Sequence, residues 1–362
     1  MLCKLKDIAI ELNVSVNTVS RALKDMPDIS DALKEKINRK AVEMGYIPSM
    51  SAKFLRTGKT KTIAIVYDQF INPYYSIVTD ILHKKLSAEN YNLIIFTDDS
   101  GGKLSLPTVR NILSRGADGV ISFLDVDAET KRLFDVRGVY VLLLGRNSFG
   151  VADSITTDDE AGGYIAAKYL VDCGHRKILM LSGPKDISCF AQRLNGFMRA
   201  VVEAGITESE YKVLTIGDDG ATAAELLKSA GARFDYTAIF CYNDLLAYDV
   251  IRTLKNLRLN VPNDVSVIGY DYIESDLPLP YGLASIDTDK AQVADVASEV
   301  MLIKMENRNA RAFTKVQTPR LVEGETVNKL KLAWGGGRGA GAGGGAARAG
   351  GPERMGGGNA KR

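Results

Sequence analysis

The feature that most constrains the fold is a series of short, apolar, β-branched segments that begins at residue 62 and alternates with amphipathic stretches. The segments are TIAIVY, NLIIFT, DGVISF, VYVLLLG, RKILMLSG, TAIFCYND and VSVIGYD. The amphipathic stretches include residues 74–90, 159–173, 191–204 and 243–257. Apolar strands that alternate with helices predict parallel sheets covered by helices on both faces. Seven such units exceed one ordinary sheet, so two α/β lobes are expected.

The first 46 residues follow a different period, because their apolar residues recur at spacings of three and four, as in helices. They form three stripes: Leu5, Ile8, Ala9 and Leu12; Val16, Val19, Ala22 and Leu23; and Leu33, Ile37, Ala41 and Met44. The sequence GYIPS at residues 45–49 ends the third helix with Gly and Pro. A small all-α domain is therefore predicted ahead of the α/β lobes.

The junction between the first two helices fits a helix-turn-helix. Asn13 stands where the backbone must adopt a left-handed conformation, and Asn is the residue that tolerates this conformation best apart from Gly. Ser15 can cap the second helix. The outer face of that helix then carries Val16, Asn17, Ser20 and Arg21. In a major groove, Asn suits adenine, Arg suits guanine and Val suits a thymine methyl group. Spacing alone leaves open a three-helix bundle whose exposed face has no function.

The charge distribution favours DNA as the partner of this first domain. Residues 1–62 hold 12 Lys and Arg against 7 Asp and Glu, and residues 335–362 hold 5 against 1. The whole chain carries a net charge of only +2, so the middle section is acidic. A basic head on an acidic body indicates that the head alone meets an anionic partner.

Several other classes of protein are disfavoured. The four cysteines have no CxxC spacing and there are two histidines, so neither a metal site nor a cofactor is expected. No GxGxxG, Walker loop or GxSxG motif occurs, which argues against an enzyme on a doubly wound fold. No signal peptide or apolar run of bilayer length is present, so a cytoplasmic protein with no membrane partner is expected.

The motifs together resemble the LacI/GalR family of bacterial transcription regulators. The resemblance begins with LKDIAIELNVSVNTVSRAL, GYIPS and LRTGKTKTIAIV, and continues through NPYYSIV, SRGADGVI, TTDDEAGGYIAAKYLVDCGHRKI, QRLNGF, AIFCYNDLLAYDVI and VPNDVSVIGYD. It covers about residues 3–325. The resemblance implies a helix-turn-helix domain followed by a two-lobed α/β domain like that of periplasmic binding proteins. It also implies a homodimer or tetramer on a two-fold symmetric operator.

The resemblance sets the expected domain boundaries. Residues 1–48 are the DNA-binding domain and residues 49–61 are the hinge. The effector-binding and dimerisation domain spans residues 62–332, with one lobe at about 62–158 and 290–318 and the other at about 159–287 and 319–332. Residues 333–362 are a Gly-rich segment, whose last 28 residues lack the apolar residues for a core, and disorder is expected there.

The resemblance also assigns DNA contacts in the hinge, SMSAKFLRTG. Leu55 is implied to enter the minor groove at the operator centre and to kink the duplex there. Lys53 and Arg56 would neutralise phosphates. A flexible charged linker is the alternative. The complete set of expected DNA-contacting residues is Ser15, Val16, Asn17, Thr18, Ser20, Arg21, Lys53, Leu55 and Arg56.

A small-molecule site is expected between the lobes, because ligands of open α/β sheets bind beyond the carboxyl ends of the strands. Polar and aromatic residues follow several predicted strands or begin the next helix: Tyr74, Tyr75, Arg146, Arg193, Asn243 and Asp271. By resemblance, Arg193, Asn243 and Asp271 would hold hydroxyl or carbonyl groups, and the tyrosines would line the opposite wall. Asp219 joins this set, because the run GDDGATAAELL has carboxylates where many family members carry a stacking aromatic residue. A sugar therefore suits the site better than a planar purine.

Each of these residues has a structural alternative. Tyr74 and Tyr75 could be core residues at a helix start, and Arg146 could form a salt bridge between the lobes. Asp244 could cap the helix that it precedes. Arg193 and Asp271 could form a structural ion pair.

The sequence thus predicts a transcription regulator, with repression relieved by a small sugar as the leading hypothesis. A corepressor-dependent regulator, which binds DNA when liganded, is the first alternative. A sugar-binding protein without a role on DNA is the second.

Overall fold

A computed structural model describes residues 3–47, 59–147, 150–216, 222–231, 234–280, 282–307 and 312–330. Within these residues, the chain forms an all-α head followed by two parallel α/β sheets. The predicted fold class is confirmed. Residues 49–58 of the expected hinge, Asp219 and all residues from 331 onward, which include the expected Gly-rich segment, lie outside the described residues.

The head consists of helices α1 (Leu5–Glu11), α2 (Val16–Ala22) and α3 (Asp31–Glu43). Ile8, Val19 and Ile37 are fully buried, one from each helix, so the three stripes meet in one small core. Asn13 adopts a φ of +51° in the turn between the first two helices. Ser15 caps α2, since its hydroxyl oxygen accepts a hydrogen bond from the backbone N–H of Thr18 at 2.9 Å.

The first lobe contains a six-stranded parallel sheet in the order β11-β5-β4-β3-β1-β2. Its strands are β1 (Thr62–Tyr67), β2 (Asn92–Thr97), β3 (Gly119–Ser122), β4 (Tyr140–Leu144), β5 (Asp153–Thr157) and β11 (Thr314–Gln317). Its helices are α4 (Pro73–Ala88), α5 (Leu106–Ser114), α6 (Ala128–Val136) and α11 (Lys290–Glu306).

Every residue of β1 is buried, because helices cover both faces of this central strand. Ile63 and Ile65 pack against α4 and α11 on one face. Ala64 and Val66 pack against α5 and α6 on the other face. This double cover explains why the strand segments are continuously apolar in the sequence.

The second lobe contains a four-stranded parallel sheet in the order β7-β6-β8-β9 and an antiparallel pair, β10 with β12. The strands are β6 (Ile178–Ser182), β7 (Tyr211–Thr215), β8 (Ala238–Cys241), β9 (Ser266–Ile268), β10 (Ser285–Asp287) and β12 (Arg320–Val322). The helices are α7 (Asp159–Asp172), α8 (Ser188–Glu203), α9 (Ala223–Ser229) and α10 (Asp244–Asn256). The chain passes between the lobes three times: after β5, after β10 and after β11.

Two further observations concern membrane spans and metal ligands. None of the helices formed by the described residues is long and apolar enough to cross a membrane. No group of three or more metal-ligating side chains occurs among these same residues.

Candidate functional site

A cleft lies where the carboxyl ends of the strands of the two lobes face each other. Its free volume is about 70 Å³, room for only a few water molecules, so the lobes are closed on one another. The cleft brings together the six described residues that the sequence places at a ligand site: Tyr74, Tyr75, Arg146, Arg193, Asn243 and Asp271. The other lining residues are Asn72, Phe123, Leu144, Gly145, Thr157, Asp159, Cys189, Phe190 and Thr288.

The wall from the first lobe is aromatic. Asn72 caps α4 by accepting a hydrogen bond from the backbone N–H of Tyr74 at 3.0 Å, and this fixes the helix start that carries both tyrosines. The ring of Tyr75 stacks on Tyr67 at 5.1 Å between centroids and meets Phe123 edge to face at 5.1 Å. Burial raises the pKa of Tyr74 and of Tyr75, so both phenols stay neutral at physiological pH. The wall therefore offers flat, uncharged rings to a ligand.

Arg193 is the centre of the opposite wall. It lies in the second turn of α8, so the expectation that it begins a helix is wrong. Its Nε donates to Oδ1 of Asp159 at 2.8 Å, and its Nη1 donates to the backbone carbonyl of Tyr242 at 2.5 Å. Its guanidinium carbon stacks 3.5 Å from the ring centre of Tyr270. Burial opposes the charge of Arg193, but Asp159 and further neighbours outweigh this and hold its pKa well above the usual value.

Close contact between α7 and α8 sets the distance from Arg193 to Asp159. A Cβ atom at Gly163 would lie 2.1 Å from the carbonyl oxygen of Arg193, and one at Gly196 would lie 2.0 Å from the carbonyl oxygen of Glu160. Only glycine permits this approach. The motif DDEAGG thus supplies Asp159 and Gly163, and the motif QRLNGF supplies Arg193 and Gly196. The two glycines bring the carboxylate and the guanidinium together.

Asp271 lies beside this pair, just after β9. Its Oδ1 is 3.8 Å from Nη2 of Arg193, a looser contact than the one to Asp159. The expected structural ion pair of Arg193 is therefore made mainly with Asp159. Asp271 adopts a φ of +100°, a rare conformation for a residue other than glycine and one that is often found at functional sites. Lys290 supports this turn by donating from Nζ to the carbonyl oxygen of Asp271 at 2.9 Å.

Burial raises the pKa of Asp271 to about 6, although Arg193 and Lys290 lower it. The carboxylate is therefore ionised at neutral pH but less stable than it would be in water. Behind it, burial and the charge of Asp271 raise the pKa of Asp244 to about 8. Asp244 accepts hydrogen bonds from the Ser285 hydroxyl at 2.6 Å and from the Ile273 backbone N–H at 2.8 Å.

The capping role considered for Asp244 is wrong. Asn243 is the N-cap of α10, and its Oδ1 accepts from the backbone N–H of Leu246 at 2.9 Å. Asp244 is the first residue of the helix, and its carboxylate turns inward instead. The cap leaves the side-chain nitrogen of Asn243 as the group that can reach a ligand.

Arg146 follows β4 and is only 4% exposed. Its Nη1 donates to Sγ of Cys189 at 3.2 Å, which joins the two lobes. No carboxylate among the described residues lies within 4.0 Å of it, so the salt bridge considered for Arg146 is not formed there. Its buried Nε has no hydrogen-bond partner.

The start of α2 presents the expected side chains to solvent. Val16 is 45% exposed and Asn17 is exposed, whereas Thr18, Ser20 and Arg21 are half-buried. The hydroxyl groups of Ser15 and Thr18 bond each other at 2.8 Å, so part of their capacity is used within the cap. Lys53, Leu55 and Arg56 lie outside the described residues.

Arg21 is paired with Asp28 within the head. Its Nε donates to Oδ2 of Asp28 at 2.8 Å, and its Nη2 lies 2.6 Å from Oδ1 of the same residue. The carboxylate thus occupies the side edge of the guanidinium. The outer edge, with Nη1 and the second N–H of Nη2, keeps two donors for another acceptor.

Sequence reasoning missed Asp159, Phe123, Cys189 and Phe190. Asp159 could have been found, because it follows β5 in TTDDEAGG, and the rule about strand ends applies to it as well as to its neighbours. The three others have no comparable signal. They are ordinary apolar residues until the lobes close on one another.

Comparisons with known proteins agree with this architecture. The model for bacterial regulatory proteins of the lacI family matches residues 4–49, and that for a periplasmic binding protein-like domain matches residues 167–327. The HTH-type transcriptional repressor PurR of Vibrio vulnificus is 32% identical over 337 residues, which cover 91% of this chain and 100% of that protein. The ribose operon repressor of Haemophilus influenzae is 29% identical over 337 residues, with the same coverage of 91% and 100%.

Solved structures show the same fold. A LacI family regulator from Enterococcus faecium with bound ribose has a TM-score of 0.67 and 23% identity, and the match covers 75% of this chain and 100% of that one. The lac repressor dimer bound to operator and the anti-inducer ONPF has a TM-score of 0.72 and 20% identity, and the match covers 91% of this chain and 100% of that one.

Proposed function

The chain belongs to the lacI family of bacterial regulatory proteins, and from this premise we propose that it is a transcriptional repressor that leaves its operator when a small sugar binds between the lobes. The single observation that supports this most is the presence in one chain of an exposed recognition helix and a closed interlobe cleft. We place its action on DNA in the cytoplasm and regard it as regulatory rather than catalytic.

The DNA-binding part of the proposal rests on the outer face of α2. Val16, Asn17 and Arg21 project from its first two turns, the part of a recognition helix that meets base edges. Arg21 keeps the two donors of its outer edge, which is the geometry that fits O6 and N7 of guanine. Since one such helix covers only half of a symmetric site, two chains must act together on the operator.

The ligand part rests on the chemistry of the two walls. A sugar has hydroxyl groups that need donors and acceptors and a C–H surface that packs on aromatic rings. Arg193, Asp271 and the nitrogen of Asn243 supply the former, and Tyr74 and Tyr75 supply the latter. The ribose bound to the regulator from Enterococcus faecium is in keeping with this class of ligand.

The coupling between the two parts follows from the closure of the lobes. The chain enters the first lobe directly from the hinge, and the ligand residues come from both lobes. A ligand that binds one degree of closure more tightly shifts the equilibrium of the lobes toward that state, and the hinge follows from its DNA-bound to its free arrangement. Reversing occupancy from about 99:1 to 1:99 requires a preference of about 10⁴-fold between the two states.

Two measurements test the proposal. Selection of bound duplexes from a random DNA library should yield a site with two-fold symmetry. Titration of the resulting complex with a panel of pentoses, hexoses and their acid and phosphate derivatives should release the DNA with at least one member of the panel. Recovery of no preferred sequence would contradict the first part. Tighter operator binding on addition of sugar would reverse the sign of the second and identify a corepressor.

Replacement of Leu55 by Ala should lower operator affinity and the DNA bend while leaving the fold and ligand binding intact. The reason is that insertion of an apolar wedge unstacks a base step, and the resulting bend brings more protein onto the duplex. Gel shifts on circularly permuted operators measure the bend. Leu133→Ala, at a 38% exposed position on α6, is the control for the same substitution elsewhere. An unchanged bend in Leu55→Ala would show that Leu55 is not the wedge.

Replacement of Asp28 by Ala should weaken the preference for guanine at the position that Arg21 contacts. Without the carboxylate on its side edge, Arg21 loses the partner that orients its outer edge. Asp31→Ala is the control, because it removes the same charge from the head, while Asp31 itself contacts Lys34 rather than Arg21. Both variants should gain sequence-independent affinity for DNA, but only Asp28→Ala should lose selectivity. Equal selectivity in the two variants would contradict a positioning role.

A further inference from the structure

The two arginines of the cleft differ in how their charge is balanced. Arg193 has Asp159 at 2.8 Å, Asp271 at 3.8 Å, a backbone carbonyl and an aromatic face. Arg146 has a single described contact, from Nη1 to the sulfur of Cys189 at 3.2 Å. Burial raises the pKa of the Cys189 thiol, so it stays protonated and offers only a weak, uncharged acceptor. The Nε atom of Arg146 is buried without any partner.

The carboxylates nearest to Arg146 do not satisfy it. Asp125 and Asp68 act on its charge from a distance and help to hold the pKa of Arg146 above its usual value, but neither forms an ion pair with it among the described residues. The Oδ1 atom of Asp68 instead accepts from the backbone N–H of Gln69 at 2.8 Å. Burial raises the pKa of Asp125, so that its charge is itself disfavoured.

A buried cation with an open donor is costly, because it has lost its hydration and, among the described residues, no carboxylate is in contact with it. Arg146 is only 4% exposed and lines the cleft directly. A guanidinium cannot lower this cost by losing its proton. A group that stabilises Arg146 must accept hydrogen bonds, because a guanidinium has only donors. A negatively charged acceptor both binds the open N–H groups and neutralises the positive charge.

We infer that the effector is an anionic polyol, a sugar acid or a sugar phosphate, whose charged group binds Arg146 while its hydroxyl groups bind Arg193 and Asp271. This inference rests on the proposed function, because it specifies the ligand of the same cleft. It also assigns the two arginines different tasks. Arg193, with its charge already balanced, orients hydroxyl groups, and Arg146 selects for negative charge.

The arrangement of the lobes gives this selection a consequence for closure. Arg146 belongs to the first lobe, whereas Arg193, Asp271 and Cys189 belong to the second. An anionic polyol would therefore be bound from both sides, by charge on one and by hydroxyl contacts on the other. A neutral sugar would leave Arg146 without a counter-charge when the lobes close, so it would stabilise the closed state less than an anionic polyol does.

The test uses the full chain and pairs of compounds that differ in charge. Calorimetric titration with glucose, gluconate and glucose 6-phosphate, and with ribose, ribonate and ribose 5-phosphate, gives six dissociation constants. We expect an anionic member of at least one series to bind about tenfold or more tightly than its neutral parent, the range of a charge-assisted hydrogen bond. Comparison of the carboxylate and the phosphate shows which anion the site accepts.

Arg146→Gln keeps a hydrogen-bond donor and removes the charge. In this variant, the ratio of the dissociation constant of the neutral parent to that of the anion should fall to about one. The affinity for the neutral parent should change far less. Arg146→Lys restores a positive charge and should recover part of the preference, which separates a charge effect from a folding defect in the glutamine variant. Arg199→Gln, on an exposed part of α8, is the control for loss of a positive charge.

The binding data would overturn the inference in any of three cases: neutral and anionic members bind equally, the anion preference survives in Arg146→Gln, or none of the six compounds binds. Release of the operator by a neutral sugar alone would overturn the inference and leave the proposed function standing. Tight binding of an anion that does not change operator affinity would support the inference and contradict the proposed function.

Discussion

The Asp271→Asn variant should bind its operator as the unaltered protein does and should no longer release it when sugar is added. Asp271 offers a charged acceptor to the hydroxyl groups of the ligand, and its neighbour Arg193 offers donors to the same ligand. Removing the charge leaves a donating hydroxyl group of the ligand without a strong acceptor in a buried site. This loss weakens ligand binding by about 1–3 kcal/mol, or about 5- to 150-fold in affinity. Anisotropy titration of labelled operator, with and without sugar, measures both quantities.

The stability of Asp271→Asn separates a ligand role from a structural one. Burial raises the pKa of Asp271 to about 6, so the folded protein binds a proton here more readily than the unfolded chain does. Ionised Asp271 therefore opposes folding at neutral pH, and its contribution to stability falls as the pH rises from the unfolded pKa of about 4 through 6. A neutral Asn of the same shape should leave the melting temperature unchanged or raise it. A lower melting temperature together with weaker operator binding would indicate a structural residue.

Arg193→Ala should also abolish release, but with a loss of stability. Its removal leaves Asp159 buried without its main partner, and breaking a buried ion pair in this way costs about 3–5 kcal/mol. Arg199→Ala is a suitable control, because Arg199 lies on the same helix and pairs with Glu160 near the surface. Normal induction in Arg193→Ala would remove this residue from the site.

Arg21→Ala should lower operator affinity by about 1–3 kcal/mol per subunit and relax base preference at one guanine in each half-site. The loss is specific because Arg21 presents the outer edge of its guanidinium from the exposed face of α2. Arg39→Ala on α3 removes the same charge from a 75% exposed position paired with Glu35, and it should lower affinity without changing preference. An unchanged binding profile across a randomised operator library would contradict the assignment.

The position of the cleft could be predicted because strand ends are visible in the sequence. Each apolar segment ends where a polar or aromatic residue begins, and parallel strands bring those ends to one edge of each sheet. Tyr74, Arg146 and Asp271 follow strands in this way and meet in the structure, where Arg193 from the second turn of α8 joins them. The helical head was equally accessible, since Ile8, Val19 and Ile37 recur at helical spacings and are buried together.

The pairing of charges could not be predicted, because it depends on distances between elements that are remote in the sequence. Arg193 is closest to Asp159, 34 positions away, rather than to Asp271, and only the glycine contacts between α7 and α8 determine this. The salt bridge that was the structural alternative for Arg146 is not formed, and its Nη1 instead donates to the sulfur of Cys189. The cap of α10 falls on Asn243 rather than on Asp244, a difference of a single residue at a helix start, where sequence patterns are least exact.

The central claim is that ligand and operator compete through one closure equilibrium, and the affinity of the effector for free and for operator-bound protein tests it most directly. Calorimetric titration of the effector into both forms gives a ratio of two dissociation constants. Because linkage is reciprocal, the operator complex should bind effector more weakly, by the same factor by which saturating effector weakens operator binding. Equal affinities for the two forms, or tighter binding to the operator complex, would contradict the claim.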